Sequence, residues 1–418
     1  MIIRLLLIGL LTVSGSGQAV QPVNPPGLLP ADIAVALLQQ DPGVAAARAN
    51  LDVALQEAGI LDRSPYEWTT TVMGQRRVQN YGPNNSSNGN REEWHVGVER
   101  TFRLPGKAMA DRNIGKAAVD ESHAHYGEAR HEAARELMTL WVDWLAAERA
   151  RELAENNLQL TQVSLAAVQK RVRAGDASKL DLSIARAELA EQRRSENDAK
   201  TQAVAAWSGL STRFPGMKRQ VIALPMPLPL GEDVAFWRDR ILAQSDEFKV
   251  VQTQMQKTQA YAERARADKV PDPKVGIYQA SEIDGRERIS GVMLSVPIPG
   301  SVRDLRSAKA NAAMEVSLQE VELKKRQLES KIVSAVVIAR GAYVSLQIAN
   351  EGAAAMQENS RLMQRAYALG EAELQAMLLA RRQASAAMTN ALQAQVTALA
   401  AYYRLLVDAH LIWGLEHG

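Results

Sequence analysis

From Met314 the chain repeats an apolar pattern every seven residues for five heptads. Positions 314, 321, 328, 335, 342 and 349 are Met, Val, Leu, Ala, Ala and Ala. Positions 318, 325, 332, 339 and 346 are Leu, Lys, Ile, Ala and Leu, with Lys325 the one violation. A period of 3.5 sustained this far specifies a left-handed coiled coil rather than an ordinary surface helix. Alanine at many seam positions lets the helices approach closely. The first half carries Leu158, Leu165 and Val172 at the same spacing, after a stripe of Leu137, Leu140, Trp141, Trp144 and Leu145. No proline interrupts residues 106–214 or 300–418. A continuous helix of about 68 residues reaches on the order of 100 Å, a length suited to crossing a compartment.

The chain also reads as if written twice. Pro105-Gly106 and Pro299-Gly300 lie 194 residues apart, and Gly175 and Gly370 lie 195 apart. Two landmarks some seventy residues apart keep their offset to within one residue, which points to an internal duplication. The predicted division begins with an export signal over 1–19 and an N-terminal linker over 20–40. A first repeat follows over 41–213, with a short helix, a β-hairpin over 68–102, a long helix over 106–174 and a helix over 176–213. A proline-rich equatorial linker covers 214–245. The second repeat, 246–418, has a short helix, a hairpin over 274–296, a long helix over 301–369 and a helix over 371–415. Glycine suits the left-handed residue that ends a helix, so Gly175 and Gly370 are predicted to form hairpin tips.

Four strands are predicted, over 68–78, 92–102, 274–280 and 288–296. Thr70, Val72, Trp94, Val96, Val98, Val275, Ile277, Val292, Leu294 and Val296 alternate with polar or small residues, which gives one apolar face. Strands of nine to eleven residues match a tilted crossing of a bilayer. Four strands cannot close on themselves, and an open edge in lipid leaves backbone groups unsatisfied. Two subunits would pool eight strands around a filled interior and three would pool twelve around a lumen. A small soluble meander packed on helices fits the same alternation.

Charge and composition exclude several partners and chemistries. Lysine and arginine total 49 against 47 acidic residues, interspersed, so no basic stripe exists to hold nucleic acid. Cysteine is absent, which removes disulfides, thiolate metal sites and lipidation on cysteine. Arg4 followed by an apolar run over 5–13, with Gly17-Gln18-Ala19 as a cleavage site, reads as a secretory signal. No other window holds eighteen uninterrupted apolar residues, so no helical membrane span is expected beyond it.

Several pieces resemble the TolC-like outer-membrane efflux channels over nearly all of the chain after the signal. LPADIAVALLQQDP at 29–42 is similar to that family's opening helix, and GDASKLDL at 175–182 to its first periplasmic tip. FRLPGK at 102–107, PDP at 271–273 before Val275-Gly276, and LSVPIP at 294–299 resemble most the branch serving heavy-metal efflux pumps. The resemblance implies a mainly α fold with a small β part, in which a homotrimer pools twelve strands into one barrel continued by a helical tunnel. It further implies outer-membrane lipid around the barrel, and a periplasmic adaptor protein and inner-membrane pump as partners. Arg171, Gly175, Ser178 and Asp181 then belong to one adaptor-contacting tip, and Tyr367, Gly370 and Glu371 to the other. Where the family often carries a carboxylate at the tunnel constriction, six residues after the second glycine, this chain has Ala376. Glu371 and Glu373 are the substitutes if they face the lumen.

No catalytic residues, cofactor or metal site are expected. His123 and His125 are two apart on a predicted helix and face different ways, unlike an i, i+4 metal pair, and His131-Glu132 lacks a following histidine at the zinc-protease spacing. Gly106-Lys107 lacks the rest of a phosphate loop. The competing reading is a periplasmic adaptor, which also uses a coiled-coil hairpin but has one inserted in a β-domain, not two. A soluble coiled-coil scaffold would leave the bilayer-length strands unexplained.

Overall fold

The computed structural model describes residues 25, 27–79 and 89–415; the predicted export signal and most of the first hairpin loop lie outside them. Its elements in order are α1 (Ala31–Gln39), α2 (Pro42–Asp62), β1 (Thr69–Gln79), β2 (Gly89–Thr101), α3 (Pro105–Ala174), α4 (Lys179–Arg213), α5 (Val234–Gln244), α6 (Asp246–Ala267), β3 (Lys274–Glu282), β4 (Glu287–Ser295), α7 (Ser301–Leu369) and α8 (Leu374–Asp408). The run from α2 to α4 has the same order as the run from α6 to α8. The long helices have 70 and 69 residues and their return helices 35 each.

The structure corrects several sequence-based boundaries. The N-terminal linker contains α1, whose Ala34, Leu37 and Leu38 are buried, and the proline-rich linker contains α5. Both helices are too short for period alone to reveal them. Helix α5 is set instead by its cap, where Asp233 Oδ1 accepts from the Phe236 N–H at 2.7 Å, and by buried Trp237 and Ile241. Residues 176–178 and 371–373 are turn and cap rather than helix. Helix α8 stops at Asp408, before the predicted 415, and His410 and Trp413 just beyond it adopt left-handed backbone angles of 54° and 58°.

The heptad seam of α7 is real but steps sideways once. Its inward stripe runs 307, 310, 314, 317, 321, 324, 328 and then 332, 335, 339, 342, 346, 349, 353, with fully buried Val336 beside it. Two regular frames are thus joined by one extra residue between Lys324 and Ile332. The first frame faces α6: Lys324 pairs with Glu247, and Arg303 bonds the Asp268 carbonyl. The second faces α8. The contact stripe moves around the helix where the partner changes, so Leu318 and Lys325 point outward and Lys324 turns in.

A broad hydrophobic belt fills the middle of the molecule. Trp141, Trp144 and Leu145 of α3 meet Leu399 and Tyr403 of α8 and Val336 of α7 there. Helix α7 also holds an apolar eighteen-residue stretch that is mostly exposed, where the sequence reading expects no helical span. That stretch is interrupted by polar and charged side chains such as Arg340, which bonds the Glu232 carbonyl. Its exposed Val333, Val337, Val344 and Ile348 form a lateral apolar surface on the rod.

At one end the strands form a single antiparallel sheet in the order β1-β2-β3-β4, so the β2–β3 pairing joins the two repeats. A polar knot ties this sheet to the helices. Asp272 accepts from the Leu104 N–H at 3.0 Å and the Tyr66 hydroxyl at 2.8 Å, and pairs with Lys107 Nζ at 3.1 Å. Burial raises the Asp272 pKa, but these three donors outweigh it and hold the carboxyl below the usual carboxylate range. A depressed folded-state pKa contributes stability above the unfolded value of about 3.9 that is lost as pH falls through the folded value. Asp272→Asn should therefore cost about 1–2 kcal/mol at pH 7, and the gap in melting temperature from wild type should shrink below about pH 4. A gap independent of pH would show that the carboxylate charge is not what holds the knot.

Candidate functional site

Strand register sorts the sheet residues onto two unlike faces. One cross-strand row is Thr70, Val98, Ile277 and Val292, and the same face carries Val72, Trp94, Val96, Val275 and Leu294. The opposite face carries Gln75, Arg77, Glu93, His95, Glu99, Lys274, Tyr278 and Glu282. It is the apolar face that is bare: Val292 is 75 % exposed, Val72 73 % and Ile277 63 %. The polar face is closed by its own bonds. Arg77 pairs with Glu93 at 3.0 Å and Glu282 at 3.3 Å, Gln75 donates to Glu93 at 2.7 Å, and Lys274 pairs with Glu99 at 3.0 Å. Glu93 is 4 % exposed. A sheet in water buries its apolar face against a core; this one is inverted, as in a barrel with lipid outside and water inside.

Aromatic residues bracket the apolar face. Trp68 and Phe102 meet edge to face at 6.4 Å, with the Arg100 guanidinium 5.5 Å from the Trp68 ring centre. Trp94 lies on the same face toward the other end. Eight residues of strand separate Trp94 from Phe102, about 27 Å along the chain and roughly 20 Å in height at a tilt of about 40°. The outer edges of β1 and β4 pair with no strand among the described residues.

At the far end the two hairpin tips share one backbone design. Gly175 has φ 86° and Gly370 φ 82°. The Asp176 N–H bonds the Arg171 carbonyl at 2.9 Å and the Gly175 N–H the Val172 carbonyl at 3.2 Å. Glu371 and Gly370 bond Ala366 and Tyr367 in the same way, at 2.9 and 3.1 Å. Both are Schellman closures, in which glycine takes the left-handed position without a Cβ penalty. The tips meet through Arg171, whose guanidinium sits 4.8 Å from the Tyr367 ring centre. Beneath them lies a small separate core of Val168, Ala185, Leu374, Met377 and Leu378.

Comparison with known proteins agrees with this geometry. Residues 33–213 match the family model for outer membrane efflux proteins. The outer membrane protein VceC from Vibrio cholerae superposes with a TM-score of 0.73 at 14 % identity, covering 90 % of this chain and 95 % of that one. CusC, solved in a study of transmembrane channel formation, gives 0.72 at 16 %, covering 90 % and 91 %. The open MtrE outer membrane channel of Neisseria gonorrhoeae gives 0.70 at 16 %, covering 92 % and 89 %. The fold is that of a TolC-like channel subunit. No curated protein sequence matches the chain. The family match covers residues 33–213, and the similar structures share the fold over nearly the whole chain.

Within the TolC-like frame the tips differ where the sequence differs. Ser178 and Asp181 form a capping box: Ser178 Oγ accepts from the Asp181 N–H at 3.0 Å, and Asp181 Oδ2 accepts from the Ser178 N–H at 2.9 Å. In the second tip Glu373 and Ala376 occupy these places, and the N-cap has no side-chain bond. Losing the carboxylate thus also loses the cap. Ser178→Ala should destabilise the first tip by about 1 kcal/mol, seen as faster amide exchange over 176–182, whereas Glu373→Ser with Ala376→Asp should slow exchange over 371–377. Equal exchange at both wild-type tips would contradict this. Glu371 and Glu373 are exposed in the turn, while Met377 and Leu378 are committed to the tip core.

Sequence reasoning missed a polar latch between the hairpins. Buried Arg381 donates to Ser164 Oγ at 2.9 Å and the Asn157 carbonyl at 3.1 Å, Asn157 donates to Ser385 Oγ at 2.8 Å, and Arg382 pairs with Glu188. Two adjacent arginines in an alanine-rich helix were the available signal.

Proposed function

We propose that three copies of this chain assemble into a passive export duct: a twelve-stranded barrel in the outer membrane continued by a helical tunnel across the periplasm. The inverted sheet carries this reading. Its bare apolar face needs lipid, and its two free edges need neighbours to satisfy their backbone groups. The apolar flank of α7 is surface that adjacent rods would cover. Head-to-tail pairing of β4 of one copy with β1 of the next closes a ring, and three copies leave room for a lumen. The adaptor alternative gains no support, since the similar structures are channels.

The periplasmic end of the duct meets an adaptor that links it to an inner-membrane pump. Arg171, Gly175, Ser178, Asp181, Tyr367, Gly370 and Glu371 are the contacts, with Glu371 and Glu373 at the constriction. Heavy-metal cations are the proposed cargo, on the similarity of 102–107, 271–276 and 294–299 to that branch. A passive duct selects by width and charge rather than by tight ligation. The mass of the purified protein in detergent, with its conductance in a planar bilayer, tests assembly: three chains and discrete channels are expected, and a monomer that never conducts would end the proposal. Docking is tested at the tips. A Cβ at Gly175 or Gly370 would meet nothing within 4 Å, so arginine there strains the backbone by roughly 1–2 kcal/mol without an internal clash. Gly175→Arg with Gly370→Arg should leave the trimer intact and abolish export in cells; undiminished export would remove the tips from the interface.

A further inference from the structure

Midway along the rod, away from sheet and tips, three distant segments bring two histidines and a carboxylate together. His131 lies on α3, Asp246 opens α6, and His410 sits in the turn after α8. One ligand atom from each lies within 4.8 Å of the other two, and all three residues are buried. The imidazole rings stand nearly perpendicular with centres 4.9 Å apart. His131 and His410 are 3 % and 4 % exposed. Among the described residues, neither ring nitrogen of His131, nor Nε2 of His410, meets a partner in good hydrogen-bond geometry. Their nearest carboxylates are Asp408, 3.4 Å from His131 Nε2, and Asp246, 3.7 Å from His410 Nε2. Buried polar atoms are ordinarily hydrogen-bonded; here the two carboxylates approach the rings only at ion-pair distance, which leaves the ring nitrogens with capacity to bind.

Two further features point the same way. A Cβ at Gly127, one turn before His131, would come within 2.9 Å of the Asp246 carboxylate. Glycine there is what lets that carboxylate reach the face of α3. His410 holds a backbone φ of 54°, a region non-glycine residues seldom occupy and one that clusters at functional sites. A cavity of about 240 Å³ opens beside the three residues, with His123, Arg130 and Lys249 on its wall.

We infer that His131, Asp246 and His410 bind one divalent transition cation of the zinc or cobalt type in each chain. Two imidazole nitrogens and one carboxylate oxygen are the borderline donors such ions prefer, whereas calcium and magnesium favour oxygen sets and copper(I) favours sulfur. Lys249 holds Asp246 Oδ1 at 3.0 Å, which leaves Oδ2 turned toward His410. Asp408, bonded to Arg135 at 2.8 Å, stands behind His131, the kind of backing that orients a ligating imidazole. Metal–ligand distances of about 2.0–2.2 Å require the donors to draw inward. Asp246 at a helix start and His410 in a turn can both make that movement. The cation would staple α3, α6 and the C-terminal turn at the waist of each subunit, and this inference does not depend on the duct's cargo or partners.

Untagged full-length protein in detergent, stripped with chelator, is titrated with Zn²⁺ by calorimetry and with Co²⁺ by visible absorption. One ion per chain, a Co²⁺ ligand-field band and a Zn²⁺-dependent rise in melting temperature are expected. His131→Gln and His410→Gln should each weaken binding by about a hundredfold or more, while His123→Gln, on the cavity wall only, should leave it unchanged. Wild-type protein that takes up neither ion at about 100 μM overturns the inference whatever the variants do. So does uptake that survives both substitutions, or that His123→Gln reduces as much.

Discussion

Ile277→Arg is expected to keep the protein out of the membrane. Ile277 lies on β3, 63 % exposed, in register between Val98 and Val292 near the centre of the apolar face. Arginine at the bilayer midplane of a barrel costs about 2–4 kcal/mol, and in the proposed assembly of three copies that becomes roughly 6–12 kcal/mol. Thr71→Arg is the matched control, because Thr71 occupies the opposite, polar face, in register with Gly97. The fraction of protein that resists alkaline extraction from the outer membrane is the readout. Ile277→Arg should move it to the soluble or aggregated fraction, and Thr71→Arg should leave it as wild type. If the two behave alike, the sheet is not a lipid-facing wall.

The second large effect is at the waist. Trp144 is fully buried, packed 5.1 Å from the Trp141 ring and 4.8 Å from the Trp207 ring. Its indole N–H donates to Glu148 Oε1 at 3.2 Å, and the same carboxylate binds Arg219 at 2.6 Å and Arg151 at 3.0 Å. Burial pushes the Glu148 pKa up, but the bonds from Arg219, Arg151 and Trp144 together hold it below its ordinary value. Trp144→Ala opens a cavity at the centre of the belt and removes one of those donors. A loss of about 3–5 kcal/mol follows from truncating a buried tryptophan, measured as a fall in the unfolding midpoint in detergent. Trp144→Phe keeps most of the volume and should lose less than half as much. A drop under about 1 kcal/mol for the alanine variant would mean the belt repacks freely.

What the sequence made legible follows from how far apart the cooperating residues lie. The seam of α7, the two glycine tips and the period-two strands are local patterns, and all three were readable. The apolar sheet face was predictable because Val96 and Val98, or Val292 and Leu294, sit two apart. The polar face was not, because Arg77 and Glu282 are separated by 205 residues and only strand register brings them together. Lys325 looked like a flaw in the coiled coil, but the flaw was in assuming one partner for the whole helix. The shift from α6 to α8 makes Lys324 the inward residue. His131 and His410 share no local spacing at all, so reading each histidine against its neighbours along the chain could not find the cluster. Ser178 and Asp181 were assigned to partner contact from resemblance, whereas the structure gives them an internal task as well.

The outer edges of β1 and β4, unpaired among the described residues, carry a genetic consequence for the proposed ring. In a head-to-tail ring every subunit must offer both edges, so a protomer blocked at only one of them can still join a neighbour and then leave the circle open. Mixed in equal amounts with intact protomers, such a chain would leave only about one ring of three in eight free of it. Defects of this kind would therefore be dominant, and far more damaging than a chain that fails to fold and simply drops out.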